Sequence, residues 1–480
     1  MFRKSSRPGL TLAAVAVVQF MVSLDLSVVN VGLPSIGAGL GFSPVGLTWV
    51  IHAYALTFGG LLLLGGKLAD RYGRKRVLLA GLTVFGLASL LGGFTQQAGE
   101  LVAARALQGA GAAMLSPAAL ALLTATFPAG RARVRAYGIW AAMNAAGGAL
   151  GVLTGGVLTQ YAGWRWVMFV SVPMSLIALA LALAGRGIAL DPVQERAGRP
   201  DVLGAVLATS GMGLLVFGVV RTDRYAWTSP VTVGTLTLAA ALLAVFLYAE
   251  SRTAGDPLIR LGLLRNRSVA GANLYNLLVG AAMAGAFYFA SLYLQRVLAI
   301  GPALTGVMFL PFALGVAAGS VLAIKLGYRL PARTLLILGG LLTAAGFAWF
   351  GRISPGGSFL TDVLGPSIVA SVGFGLCLGP VVSIATAGVA PHEAGTASGL
   401  LNSSRQIGAS LGLAVLGTAA QHRTGPAVTA VALNSGYALG LTLSAVLLVA
   451  AATTALLLPR PAGVLPPHVS APRRRESLVE

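Results

Sequence analysis

The sequence predicts an all-α integral membrane protein: two six-helix bundles with two helices inserted between them, fourteen transmembrane helices in total. Three observations predict it. Fourteen apolar runs have the length that a bilayer demands, basic residues collect at alternate junctions between them, and the two ends of the chain repeat one another. The chain is 56% hydrophobic and 10% charged, whereas a soluble domain carries about 25% charged residues. Runs of about 20 apolar residues cross the hydrocarbon core as helices, because lipid offers no partner for an unpaired peptide group.

The first run, residues 12–31, is too long for the apolar region of a cleaved signal and is followed by many more, so it reads as the first helix. Runs 49–66 and 77–94 flank a short loop packed with charge, which forces two antiparallel helices to turn at one face. Runs 101–124, 137–158 and 166–184 complete the first six. Runs 202–220 and 231–248 form a pair, followed by runs 269–294, 304–326, 334–350, 363–389, 394–419 and 437–458. The expected division is a terminus at 1–11, a first bundle at 12–184, an inserted pair with its linker at 185–248 and a second linker at 249–268. A second bundle follows at 269–458, with a tail at 459–480. That tail holds Pro461, Pro466, Pro467 and the run 473–475 of arginines, a composition expected to be disordered.

The net charge of +20 raises the question of nucleic acid, but the basic residues form no stripe with interleaved aromatics. With the N-terminus inside, 25 basic residues fall in inner segments against 6 in outer ones, and Arg105 and Arg405 inside spans complete the 33. That asymmetry predicts a cell-membrane protein with both termini cytoplasmic, and a missed helix would invert half of it. No nucleic-acid partner is expected. Cys377 stands alone, and His52, His392, His422 and His468 are dispersed. No metal site, cofactor or catalytic nucleophile is therefore expected, and the chain does not read as an enzyme.

The repeat is visible residue by residue. Leu68-Ala69-Asp70-Arg71-Tyr72-Gly73 returns as Leu322-Ala323-Ile324-Lys325-Leu326-Gly327. Gly138, Gly147, Leu150, Gly151, Gly156 and Gln160 of the fifth span match Gly399, Gly408, Leu411, Gly412, Gly417 and Gln421 of the thirteenth at constant offset. Spans one to six and nine to fourteen therefore correspond, and spans seven and eight have no counterpart. Duplicated halves point to a carrier with its site at the repeat interface near the midplane.

Asp25 is the one carboxylate deep inside a span, where an acid costs about 2.5–3.5 kcal/mol on insertion scales. It reads either as a proton-binding site open in turn to an aqueous cavity, or as a structural acid bonded to a neighbouring helix. Arg105 reads either as a partner that favours the ionised carboxylate when near, or as a side chain snorkelling to the interface. Gln108 shares its helical face. Gly147, Gly151 and Gly155 form a stripe at fourth-residue spacing that permits close helix contact. Asn30, Tyr54, Gln108, Asn144, Asn276, Tyr288 and Arg405 are candidates for lining a cavity. Interhelical hydrogen bonding is the competing role for the polar ones. Phe287, Tyr288, Phe289 and Tyr293, with Tyr54, Phe58 and Trp140, are an apolar wall or ordinary packing.

Four stretches resemble motifs of the major facilitator superfamily, and within it the fourteen-span drug:proton antiporters. They are the loop 65–76, the first-helix stretch 24–34 around Asp25, Arg105-Ala106-Leu107-Gln108-Gly109-Ala110-Gly111, and the glycine-rich 147–156. The resemblance implies an exporter working by alternating access. Asp25 and Arg105 would couple it to protons, and the glycine helix would carry the antiporter motif. In the loop, Asp70 with Arg71, Gly73 and Arg74 would form a latch, Asp70 meeting the N-terminus of the helix that begins near Ala394 and holding the outward-open state. Ser27 and Gly32 depart mildly from the first-helix motif. Val152 stands where the antiporter motif has proline, which weakens the exporter implication and leaves the glycines readable as packing alone.

The implied partners are protons, membrane lipid and a lipophilic small molecule that is neutral, zwitterionic or singly charged, handled by a monomer. A lipid or metabolite exporter of the same fold, and a non-transporting sensor or scaffold, are the alternatives.

Overall fold

The computed structural model describes residues 8–43, 46–127, 130–184, 201–223, 225–252, 257–259, 261–389, 393–425 and 429–459. The expected tail and most of the linker ahead of the inserted pair lie outside these residues. The N-terminal six long helices are α1 Pro8–Leu40, α2 Trp49–Tyr72, α3 Arg74–Phe94, α4 Ala98–Thr126, α5 Arg131–Tyr161 and α6 Arg165–Ala184. The pair α7 Val202–Val220 and α8 Pro230–Arg252 follows. The last six are α9 Arg267–Val297, α10 Pro302–Gly327, α11 Ala332–Phe350, α12 Phe359–Ala385, α13 Ala394–Thr424 and α14 Ala430–Leu456.

Thirteen of these helices are long and apolar enough to cross a membrane. The exception is α13. It has the length, 31 residues, but carries Asn402, Ser403, Ser404, Arg405 and Gln406 in succession, so its polarity falls outside that set.

Local chemistry explains the corners. The charged loop is nearly all helix: α2 runs through Asp70, Arg71 and Tyr72, and α3 resumes at Arg74. Only Gly73 separates them, with φ +95°, a left-handed conformation that glycine adopts without strain. α6 breaks at Val170 because Pro173 has no N–H to offer the Phe169 carbonyl. Asn266 caps α9 through the Ser268 N–H, and Gln97 with Glu100 forms a capping box on α4.

In the N-terminal six, α1 packs on α5 and α6, while α4 packs on α2 and α3. In the last six, α9 packs on α13 and α14, and α12 on α10 and α11. The seams between the two sets are α5 against α10 and α2 against α13, and the pair α7–α8 leans on α2 and α13. Hydrogen bonds cross between the sets toward the end of the molecule opposite the N-terminus. Ser291 Oγ donates to the Asn30 carbonyl (3.0 Å), Gln295 Nε2 to the Val31 carbonyl (2.9 Å), and the Ala303 N–H to Gln160 Oε1 (3.0 Å). His52 Nδ1 and Ser410 Oγ meet at 3.0 Å.

Candidate functional site: a buried acid and arginine beside a cavity

Asp25 is fully buried on α1 and Arg105 is only 2% exposed on α4. Arg105 Nη1 donates to Asp25 Oδ2 at 2.7 Å, and this is a direct ion pair. The arginine therefore does not snorkel. Its Nε donates to the Val50 carbonyl of α2 (3.0 Å), and Nη1 also reaches Gln108 Oε1 one turn along α4 (2.8 Å).

Gln108 closes the network from the other side. Its Nε2 donates to Asp25 Oδ1 (3.3 Å) and to Ser89 Oγ on α3 (2.7 Å). The Tyr54 ring lies under the guanidinium, 4.4 Å from its central carbon, a cation–π contact between two buried side chains. Four helices thus hold one carboxylate. Two buried charges this well bonded stabilise each other, but removing either leaves the other stranded, at about 3–5 kcal/mol.

A cavity of ≈ 110 Å³ opens against this network. Leu26, Val29, Asn30, Ile51, Tyr54 and Arg105 line it from the N-terminal six, and Ala284, Phe287, Gln406 and Ala409 from the last six. A drug-sized ligand needs about 300–1,000 Å³, so this space fits a few waters or a small group as it stands.

The glycine stripe has a definite partner. A Cβ on Gly147 would meet the Phe20 carbonyl at 2.4 Å, on Gly151 the Leu24 carbonyl at 2.7 Å, and on Gly155 the Val28 carbonyl at 2.5 Å. All three are backbone of α1, one turn apart, around Asp25. Gly156 faces another way, toward the Pro302 carbonyl of α10. The stripe presses the acid-bearing helix, and its last glycine joins the two sets.

Among the remaining sequence candidates, Asn30 and Tyr54 line the cavity. Gln108 instead holds the acid. Asn144 Oδ1 accepts from Gln19 (2.7 Å) and Ser23 (2.8 Å) on α1. Asn276 donates to the Leu401 carbonyl (2.7 Å), tying α9 to α13, and Tyr288 packs edge-on to Phe289. Arg405 Nη2 donates to Asn402 Oδ1 at 3.1 Å. Phe287 reaches the cavity, stacks on Phe309 and meets Phe312 edge-on.

Asp70, Arg71 and Arg74 sit at the α2–α3 corner. The receiving end of the latch, residues 390–392 and the side chains of 394 and 395, lies outside the described residues. Sequence reading missed Ser89 and the Val50 carbonyl, since a lone serine in an apolar helix and a backbone oxygen carry no motif. Gln406 carried a signal as the neighbour of Arg405.

The described residues contain no cluster of three His, Cys, Asp or Glu side chains able to hold a metal.

A family model of the Major Facilitator Superfamily matches residues 15–413. The chain is 40% identical to the puromycin resistance protein pur8 of Streptomyces alboniger, over 93% of this chain and 90% of that protein. It is also 40% identical to the cephamycin export protein CmcT of Amycolatopsis lactamdurans, over 97% and 96%. Among solved structures it resembles a bacterial homologue of the lysosomal transporter Spinster in an inward-facing, unoccupied conformation (TM-score 0.66, 18% identity, 95% of this chain and 98% of that one). The POT family transporter PepTSo is similar at the same level (TM-score 0.68, 17% identity, 95% and 98%).

Proposed function

The chain belongs to the major facilitator superfamily and is a membrane transporter rather than an enzyme; from that premise we propose that it exports lipophilic small molecules in exchange for protons. The observation that carries this reading is the Asp25–Arg105 pair, buried between four helices at the edge of a cavity shared by both sets.

Such a pair makes a coupling device. While Asp25 is ionised, Arg105 ties α1 to α4 and, through Val50, to α2. A proton on Asp25 cancels the attraction and leaves the guanidinium seeking other acceptors, so protonation and helix arrangement become linked. In the cycle the acid takes a proton on the outer side as substrate leaves and releases it on the inner side as substrate binds. The membrane potential contributes about 2.3 kcal/mol per charge per 100 mV, enough for a gradient of about 50-fold in a neutral compound.

The fold reading that goes with this is fourteen spans in two six-helix bundles, α7–α8 inserted, and both termini at the cytoplasmic face of the cell membrane. The bundles rock about the α2–α13 and α5–α10 seams. Asp70, Arg71, Gly73 and Arg74 act as the conformational latch, and the antiporter-motif glycines transmit movement of α1 to α10. Relatives named for resistance to or export of antibiotics support a drug or natural product as substrate.

The test is proton flux in proteoliposomes against a panel of lipophilic compounds. Wild type is expected to move protons on addition of substrate, and Asp25→Asn and Arg105→Ala to move none. Substrate-driven proton flux that persists in Asp25→Asn would refute the reading.

A further inference from the structure

The polar centre of α13 presents more hydrogen-bond donors than the described residues around it accept. Arg405 is half-buried in a helix of the last six, yet among the described residues its guanidinium meets no carboxylate. Among the described residues its guanidinium makes one hydrogen bond, from Nη2 to Asn402 Oδ1, which leaves most of its five N–H groups without a protein acceptor. The next residue, Gln406, is 6% exposed and lines the cavity beside Arg105, and its Nε2 has no partner.

The repeat adds a third donor. Asn144 on α5 stands at the position of Arg405, at the same offset of 261 residues that relates Gly147 to Gly408. The two helices also pack alike, Gly147 on the Phe20 carbonyl and Gly408 on the Leu277 carbonyl. Asn144 is exposed, and with Gln19 and Ser23 both donating to its Oδ1, its Nδ2 carries the free donors. In duplicated carriers the substrate site lies at the interface of the repeats. Each half therefore carries a donor at this repeat position, and in the last six it is a cation that meets no carboxylate among the described residues.

A half-buried cation within a membrane-spanning helix that meets no carboxylate is well placed to take a mobile anion. We propose that Arg405 is a substrate-binding residue that takes an oxyanion, the carboxylate of a lipophilic organic molecule, with Gln406 and Asn144 adding neutral donors around it. A planar guanidinium suits a carboxylate, which accepts two parallel hydrogen bonds from it. The inference deepens the export reading by naming the charge class of the cargo, and it stands on different residues from the proton pair. An anionic lipid headgroup offers the same chemistry and is the competing occupant.

The experiment is equilibrium binding to the purified full chain in phosphatidylcholine nanodiscs. The probes are dansyl-glycine, dansyl-phenylalanine and dansyl-tryptophan, each paired with its uncharged amide. Wild type should bind at least one acid about tenfold or more tightly than its amide, the scale of a charge-assisted hydrogen bond. Arg405→Gln should erase that preference without lowering the melting temperature, and Arg405→Lys should keep part of it.

Equal binding of every acid and its amide, no binding of any acid, or a preference that survives Arg405→Gln would each overturn the proposal. So would loss of the wild-type preference in nanodiscs containing phosphatidylglycerol, which would give the site to lipid. The assay needs no proton gradient. Intact acid preference with absent proton flux would sink the coupling scheme alone.

Discussion

Gly151→Ala adds one methyl group at the point where α5 touches the backbone that carries Asp25. The new Cβ would stand 2.7 Å from the Leu24 carbonyl, 2.9 Å from the Ser27 Cβ and 3.0 Å from the Leu24 Cα. Ordinary contact for a Cβ begins near 3.4 Å, so the carbonyl contact is short by about 0.7 Å. A flexible side chain could swing away, but two of these three atoms are backbone, so α1 itself must shift.

Overpacking of this kind costs about 1–3 kcal/mol. The shift also acts on the neighbouring residue: the Asp25–Arg105 contact is 2.7 Å, and a displacement of this size weakens it directly. Gly148→Ala is the built-in control, because its Cβ would find only Ser27 Oγ, at 3.9 Å. The assay is thermal unfolding in detergent followed by substrate-driven proton flux in proteoliposomes. Gly151→Ala should melt lower and lose most of its flux, and Gly148→Ala should match wild type in both. If the two variants behave alike, the argument that the stripe positions the acid fails.

Three further outcomes are expected. Asp25→Asn leaves Arg105 buried without its counter-ion and should destabilise by about 3–5 kcal/mol. Asp25→Asn/Arg105→Gln should recover much of that stability and none of the proton flux; equal melting of single and double variants would contradict the pairing. Gln108→Leu removes the bonds to Asp25, Arg105 and Ser89 and should cost about 1–3 kcal/mol in denaturant melts, while Ser89→Ala, which leaves the bonds to Asp25 and Arg105 in place, should cost less. Ser410→Ala deprives His52 of its cross-seam partner and should lower stability by about 1–3 kcal/mol, a loss that His52→Phe should largely remove.

Much of this architecture was legible because lipid leaves so little choice. A run of about 20 apolar residues has to be a helix, and a charged junction has to lie at a face. Pattern is less decisive where polarity serves a seam: α13 has the length of a span, yet its stretch from Asn402 to Gln406 sets it apart from the thirteen apolar helices. Asp25 and Arg105 stood out singly, because charge inside a span is expensive. Their 2.7 Å contact did not, since 80 residues separate them and periodicity does not say which faces of α1 and α4 meet. The same limit hid Ser89. The stripe 147–151–155 announced close packing, but that it presses on the turns around Asp25, while Gly156 turns to α10, depends on the assembled bundle.

Imposed-gradient uptake into proteoliposomes reads out whether ionisation of Asp25 drives transport. A fluorescent substrate should accumulate against its gradient in wild-type vesicles when a pH difference is applied. In Asp25→Asn vesicles it should only equilibrate, with exchange between labelled and unlabelled substrate still running. Accumulation by Asp25→Asn to the wild-type level would contradict the account.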